Sequence, residues 1–291
     1  MPDLPRKILS IQSHVAYGYV GNRAAVFPLQ KMGYDVLAVN TVQFSNHTGY
    51  PSWTGDIFTR DHIRDVLAGI REHLDLSEID AVLTGYMGDE TLGDIILQTL
   101  TDIKRANPEA LYICDPVMGD IGRGIFVREG LPPFFANKAT PAADIMTPNQ
   151  FELGLLTGKD VLTYDDAIAA CRQIHDKGPR IILVTSLLTD GTNNDEISML
   201  ASSHESEHYV VTTPRLSFNP EPNGSGDLTT ALFAGHLLHG RDLKAALNAT
   251  SQTIVKVFEE TKHIQELTGS RELAIIQAQD YFRGDKSSSL S

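Results

Sequence analysis

The feature that most constrains this chain is an alternation. Short apolar runs rich in β-branched residues recur along it, each separated from the next by a longer amphipathic stretch. Lys7 to Gln12 reads as a strand, Asn22 to Lys31 as a helix stopping near Gly33, and Asp35 to Asn40 as a second strand. Ile79 to Thr84, Leu111 to Cys114, Ala143 to Met146 and Ile181 to Thr185 continue the strand series, with helical patterns at Thr91 to Ala106, Gln150 to Leu156 and Asp165 to Lys177. Nearly continuous apolar runs belong in a sheet covered on both faces. Strands joined by helical crossovers make that sheet parallel, with right-handed connections. After Ser186 the rhythm changes: a polar stretch from Leu187 to Glu196 precedes Ile197 to Ala201 and Tyr209 to Thr213, which read as a hairpin. Helical patterns return at Leu228 to Leu238, Leu243 to Glu260 and Arg271 to Phe282. The expected fold class is α/β: one three-layer α/β/α domain over residues 1–283 with a mainly parallel central sheet. A Ser-rich tail, 284–291, is expected to be frayed.

Charge removes several functional classes. With 24 Lys and Arg against 37 Asp and Glu, the net charge of −13 lacks the basic surplus by which nucleic-acid binders neutralise phosphates. A composition that is 42% hydrophobic and 21% charged is that of a folded protein, not a disordered one. Cys114 and Cys171 fall in an apolar run and a helical pattern without partners at metal-ligand spacing, and read as small buried residues. No signal-peptide pattern or membrane-length apolar run is legible, so the protein reads as soluble and cytoplasmic, with no membrane partner.

In open parallel sheets, ligands bind beyond the carboxyl ends of the strands. The segments there are polar and contain glycine: Ser13 and His14, Asn40 to Tyr50, Gly85 to Gly88, Asp115 to Gly124, Thr147 to Glu152, and Thr185 with Ser186. The sharpest is Asn223-Gly224-Ser225-Gly226-Asp227 before a helical pattern. Two glycines allow a tight turn and close approach of a ligand, and the N–H groups opening a helix make an anion hole. An aspartate at its rim can take a proton from an attacking hydroxyl while the N–H groups hold a transferred phosphoryl. The plainer alternative makes Asp227 a helix N-cap after a Gly-rich turn. Neither a P-loop nor a dinucleotide fingerprint is present. Gly119-Asp-Ile-Gly-Arg-Gly124 is either a simple connection or a lid in which Gly119, Gly122 and Gly124 flank Arg123, the main candidate for a phosphate contact. Asp115, Asp120 and Glu152 suit Mg²⁺, which uses one or two carboxylates plus substrate phosphates; alternatively Asp115 belongs to a turn and Glu152 complements a helix dipole. Of the histidines, His62, His73, His175 and His263 read as surface positions, His236 and His239 as packing or solvent-facing, and the spacing of His204 and His208 does not support zinc. His47, within Phe44-Ser-Asn-His-Thr-Gly-Tyr50, is placed for a ligand contact.

Taken in order, Ser10-Ile-Gln-Ser-His14, Gly18-Tyr-Val-Gly-Asn-Arg-Ala-Ala25, Asn40-Thr-Val-Gln-Phe-Ser-Asn-His-Thr-Gly-Tyr50, Leu83-Thr-Gly-Tyr86, Cys114-Asp-Pro-Val-Met-Gly-Asp120, Thr147-Pro-Asn-Gln-Phe-Glu152 and Gly224-Ser-Gly-Asp227 resemble the signature of pyridoxal kinases in the ribokinase-like superfamily. The resemblance runs from about Lys7 to Glu260 and is weakest between Leu187 and Thr212. It implies ATP-dependent phosphorylation of the 5′-hydroxymethyl group of pyridoxal. Carried over, Asp227 would be the general base and Gly224, Ser225 and Gly226 the anion hole. Ser13 would meet the pyridine side of the substrate, with Val20, His47, Thr48, Gly49 and Tyr86 lining its pocket. Asp115, Asp120, Thr147, Glu152, Thr185 and Ser186 would belong to the ATP and metal region, and Arg215, Leu216 and Phe218 would lie along the nucleotide. The family implies Mg²⁺, often a monovalent cation such as K⁺, and a homodimer. Ser225 stands where Thr or Val is usual, and Thr185 where some bacterial relatives carry Lys.

Two rival functions share these residues. One is a hydroxymethylpyrimidine or sugar kinase of the same superfamily, and the other a vitamin B6 binding protein without catalysis. The acidic surplus adds an expectation of its own: with few cations in the phosphate site, ATP must be held through metal and helix N–H groups.

Overall fold

The computed structural model describes residues 5–282; the expectation for 284–291 falls outside them. In chain order the elements are β1 (Lys7–Tyr17), α1 (Asn22–Lys31), β2 (Asp35–Asn46), β3 (Gly55–Ile57), α2 (Arg60–His73), β4 (Ile79–Thr84), α3 (Thr91–Ala106) and β5 (Leu111–Cys114). Next come the two-residue strands β6 (Gly119–Asp120) and β7 (Gly124–Ile125), the short helices α4 (Leu131–Phe134) and α5 (Thr140–Ala142), then β8 (Ile145–Met146), α6 (Gln150–Thr157) and α7 (Tyr164–His175). The chain continues through β9 (Ile181–Leu187), β10 (Glu196–Ser203), β11 (His208–Pro214), α8 (Ser225–Leu238) and α9 (Leu243–Thr268).

Nine strands form one sheet in the order β11-β10-β9-β8-β5-β4-β1-β2-β3. From β9 to β2 every pairing is parallel, while β10, β11 and β3 join antiparallel at the two edges. Successive side chains of a strand point to opposite faces, so Ile8 enters the core beneath α1, α8 and α9, and Leu9 the core beneath α2, α3, α6 and α7. Both cores are apolar, which explains why the central strands carry few polar residues. The α/β/α fold class expected from the alternation is the one observed.

Helix starts are set by short polar side chains that satisfy N–H groups lacking partners in the first turn. Thr59 caps α2, Thr163 and Asp166 form a capping box on α7, and Asp242 caps α9. The 197–213 hairpin is present as β10 and β11 in antiparallel register. Cys114 and Cys171 are buried and unlinked.

Some expectations need correction. Residues 271–282 do not form a helix: turns lead into one 3₁₀ turn at Gln279–Phe282, and burial of Leu273, Ile275, Ala278 and Phe282 reflects packing on the α1/α8/α9 core. The apolar spacing therefore mimicked a helical period. The strands at 7 and 35 run on to Tyr17 and Asn46, past the apolar stretch, because their polar carboxyl ends still pair with each other through Tyr17 and Asn46. His175 is not at the surface. It is buried, with Nδ1 2.7 Å from the Pro179 carbonyl and Nε2 2.8 Å from Ser202 Oγ. Among the described residues, no helix is long and apolar enough to cross a membrane.

Candidate active site

A cavity of about 770 Å³ opens beyond the carboxyl ends of the parallel strands. That volume lies within the usual range for small-molecule sites. Its wall draws Ser13 from β1, His47, Thr48 and Gly49 from the turn after β2, Tyr86 after β4, Asp115, Gly119, Asp120 and Arg123 after β5, Glu152 from α6, Thr185 from β9 and 224–227 at the start of α8. Residues spread over more than two hundred positions meet because every parallel strand ends on the same side of the sheet.

The floor is built at the start of α8. Gly224 occupies the N-cap with φ 89°, a left-handed conformation that penalises a side chain. A Cβ there would also sit 1.8 Å from the Tyr19 carbonyl oxygen, so only glycine fits. Ser225, Gly226 and Asp227 are then the first three helical residues, whose N–H groups lack partners within the helix; Leu228 N–H is the first to bond, to Gly224 O at 3.0 Å. Asp227 is thus not the N-cap but lies in the first turn, where its carboxylate accepts the Gly21 N–H. Burial among protein atoms pushes its carboxyl up to about 6, against the pull of that N–H, although the group stays open to the cavity. Gly21 has its own steric requirement: at φ 53°, a Cβ would lie 2.4 Å from Ser13 Oγ. The turn that supplies Asp227 with a donor therefore also makes room for Ser13.

The second group is acidic. Asp115 is 5% exposed and Glu152 4%. Burial drives the Asp115 carboxyl well above its ordinary range, and the charges of Glu152 and Asp227 push the same way. Burial also raises Glu152, to about 8, although the N–H groups of Asn149, Met118 and Gly119 oppose it. Those donors occupy both Glu152 oxygens: Oε1 accepts Met118 N–H at 2.8 Å, and Oε2 accepts Asn149 N–H at 2.9 Å to complete a capping box on α6. Among the described residues, no group of three or more His, Cys, Asp or Glu side chains forms a protein-only metal cage. Two buried carboxylates facing a polar cavity fit Mg²⁺ held partly by water and by a ligand's phosphates.

The 119–124 segment is a short antiparallel ribbon, β6 with β7, rather than an open loop. At its turn Arg123 donates from Nη1 to Asn223 Oδ1 at 3.3 Å, which ties the ribbon to the residue preceding the 224–227 turn. Other expected residues lie apart from the wall. Thr147 is buried behind it, 2.8 Å from Thr230 Oγ1, and Thr230 in turn contacts Asp115 Oδ2 at 3.4 Å. Ser186, Gly122 and Gly124 are outside the lining, and so are Arg215, Leu216 and Phe218. Arg215 is exposed, and Phe218 packs against Phe258 at 5.7 Å between ring centres. Three features escaped the sequence reading: Asn223 as the ribbon's anchor, Arg271 in the cavity wall, and Glu272 behind His47. Asn223 adjoined a legible motif. The other two sit in the segment misread as helix and had no local signal.

A cavity that joins the Asp227 carboxylate, the N–H groups opening α8 and two buried acids has the parts that a small-molecule kinase needs. Residues 33–271 match the family model described as Phosphomethylpyrimidine kinase. The pyridoxal kinase PdxY of Rubrobacter xylanophilus is 50% identical over 274 residues, covering 94% of this chain and 92% of its own. That of Deinococcus radiodurans is 45% identical over 285 residues, covering 97% and 94%. Among solved structures, pyridoxal kinase from Leishmania donovani in complex with ADP and pyridoxine superposes with a TM-score of 0.87 at 30% identity over 95% of each chain. The chain belongs to the pyridoxal kinase family.

Proposed function

We propose that this enzyme phosphorylates the 5′-hydroxymethyl group of pyridoxal from ATP, with Asp227 as general base and the Ser225, Gly226 and Asp227 N–H groups holding the transferred phosphoryl. The observation that carries the assignment is the position of the Asp227 carboxylate at the opening turn of α8, in the same cavity as Ser13, His47, Thr48 and Tyr86. A primary alcohol is a weak nucleophile at neutral pH. A positioned base typically contributes about 10²–10⁴-fold, and orientation with charge stabilisation supplies the rest. The substrate oxygen attacks the γ-phosphorus as the bond to the bridging oxygen of ADP breaks, and the hydroxyl proton passes to Asp227. At about 6, the carboxyl is mostly ionised at neutral pH yet basic enough to accept that proton.

Ser13, Val20, His47, Thr48, Gly49 and Tyr86 surround the substrate ring in this reading. Gly119, Gly122 and Gly124 shape the ribbon from which Arg123 reaches the phosphates. Asp115 and Glu152, with Asp120 at the mouth, would hold Mg²⁺ largely through its waters, and the ion would offset charge on the β- and γ-phosphates. The triphosphate and nucleoside are assigned to the side bearing Thr147, Thr185, Ser186, Arg215, Leu216 and Phe218. A single catalytic domain over 1–283, a homodimer, a cytoplasmic location and a K⁺ requirement complete the proposal.

The test is incubation with Mg-ATP and, separately, pyridoxal, pyridoxine, pyridoxamine and hydroxymethylpyrimidine, with ADP and phosphorylated product both measured. Product from pyridoxal supports the assignment. Phosphorylation of hydroxymethylpyrimidine alone transfers the site to the rival substrate, and binding without turnover marks a carrier.

A further inference from the structure

The carboxylate of Glu272 lies where three segments converge. It is 7% exposed and belongs to the turns after α9, far in sequence from everything it touches. Its Oε1 accepts the Tyr50 hydroxyl at 2.7 Å and stands 3.1 Å from His47 Nε2, while Oε2 accepts the Tyr19 N–H at 3.1 Å. Glu272 does not line the large cavity. It lines a smaller neighbouring one, of about 190 Å³, with Gly18, Tyr19 and Arg23. Anything it does for the substrate must pass through His47, Tyr50 or the Tyr19 N–H next to the cavity-lining Val20.

The donors identify the tautomer of His47. Gly49 N–H donates to Nδ1 at 3.2 Å, so Nδ1 is unprotonated and Nε2 carries the proton, directed at Glu272. An ionised carboxylate can only accept hydrogen bonds, which enforces that assignment. Burial tends to protonate Glu272, but hydrogen bonds from His47, Tyr50 and Tyr19 N–H outweigh it and leave the carboxyl below its ordinary value. Tyr50 N–H returns to the His47 carbonyl at 3.2 Å, closing the turn that presents Thr48 to the cavity. A second clamp acts on the same ring, since the Arg271 guanidinium lies 4.4 Å from the Tyr50 centroid while lining the cavity.

We infer that Glu272 is a positioning residue for the vitamer substrate: it sets the tautomer and orientation of His47 and anchors Tyr50, holding the 47–50 turn in its binding geometry. The inference rests on the reading that this turn contacts the substrate ring. A glutamine keeps the volume but brings an NH₂ group that can point at His47 Nε2. The imidazole is then free to carry its proton on Nδ1, which breaks the bond from Gly49.

The experiment uses Glu272→Gln in the full chain, with kcat and KM measured separately for pyridoxal and for ATP. The expected result is an increase of about tenfold in KM for pyridoxal, the scale of one good hydrogen bond, with KM for ATP changed less than about twofold. In a cycle with His47→Ala, the loss in the double variant should be smaller than the product of the two single losses, because Glu272 acts in part through that ring. Nitrogen NMR of the imidazole should report the Nε2–H form in the unaltered enzyme and a shift toward Nδ1–H in Glu272→Gln. An unchanged KM for pyridoxal, equal increases for both substrates, or multiplying effects in the cycle would each overturn the inference. If Glu272→Gln does not fold, Tyr50→Phe removes a single donor and should raise KM for pyridoxal by about twofold to fourfold; no change there is equally fatal. An unaltered enzyme that fails to phosphorylate pyridoxal refutes the substrate assignment instead, and the imidazole spectrum then decides the role of Glu272 by itself.

Discussion

Asp227→Asn should slow the enzyme and stabilise it at the same time. The amide retains an oxygen for the Gly21 N–H and nearly the same volume, but cannot take the substrate's proton. Turnover should fall about 10²–10⁴-fold, the usual contribution of a general base. Stability follows from linkage. In the fold the carboxyl protonates at about 6, against its ordinary 3.8, so the native state binds more protons than the unfolded chain between those values and loses stability as pH rises through them. Such a displacement corresponds to about 3 kcal/mol above both values, reduced to about 2 kcal/mol because water reaches the carboxylate from the cavity. Asparagine removes that penalty. In a chain of this size, metal-free Asp227→Asn should melt about 4 °C higher at pH 7.5. The advantage should shrink toward zero as pH falls from 6 to 4. Thermal unfolding across that range, beside ADP and product assays, provides the measurement. In the unaltered enzyme, kcat should drop about tenfold per pH unit below 6 as the base is protonated. Turnover of Asp227→Asn within tenfold of the unaltered enzyme would remove the residue from the base role, and a lower melting temperature at pH 7.5 would refute the burial argument.

Other outcomes follow from the same geometry. Gly224→Ala should abolish turnover and cost several kcal/mol, combining a left-handed backbone with a Cβ 1.8 Å from Tyr19 O; a soluble variant with normal kcat and melting temperature contradicts that packing. Glu152→Ala should speed hydrogen exchange at the Met118 and Asn149 amides, because it strips their acceptor; unchanged protection measured in chelator contradicts the capping box. Chelation should weaken ATP binding strongly in titration calorimetry, since the two arginines lining the cavity, Arg123 and Arg271, are too few to offset a triphosphate without a metal ion. Arg123→Ala should raise KM for ATP by about tenfold with little effect on stability, because the side chain is exposed and its hydrogen bond is to Asn223; an unchanged KM detaches the ribbon from phosphate binding.

The legible parts of the site were those whose chemistry is local. The Gly224 to Asp227 run announces a helix opening with bare N–H groups, because a left-handed cap and its following turn are properties of adjacent residues. The capping acid Glu152 stands three residues after Asn149 for the same reason. The 271–282 segment failed because apolar spacing reports burial on one side and not the backbone path that achieves it. His175 failed because a polar ring is buried only when distant partners, here Pro179 O and Ser202, satisfy both nitrogens.

By itself, the sequence determined the α/β/α architecture and the polar segments that would face a ligand, because hydrophobic period and strand polarity dictate where strand ends gather. The tertiary structure decided what those segments do to one another. It set Asp227 at the Gly21 N–H, buried Asp115 beside Glu152, and placed Glu272 behind His47, 225 residues away. Burial and hydrogen bonding between remote residues set pKa values and tautomers, and no local pattern encodes which remote residues will meet.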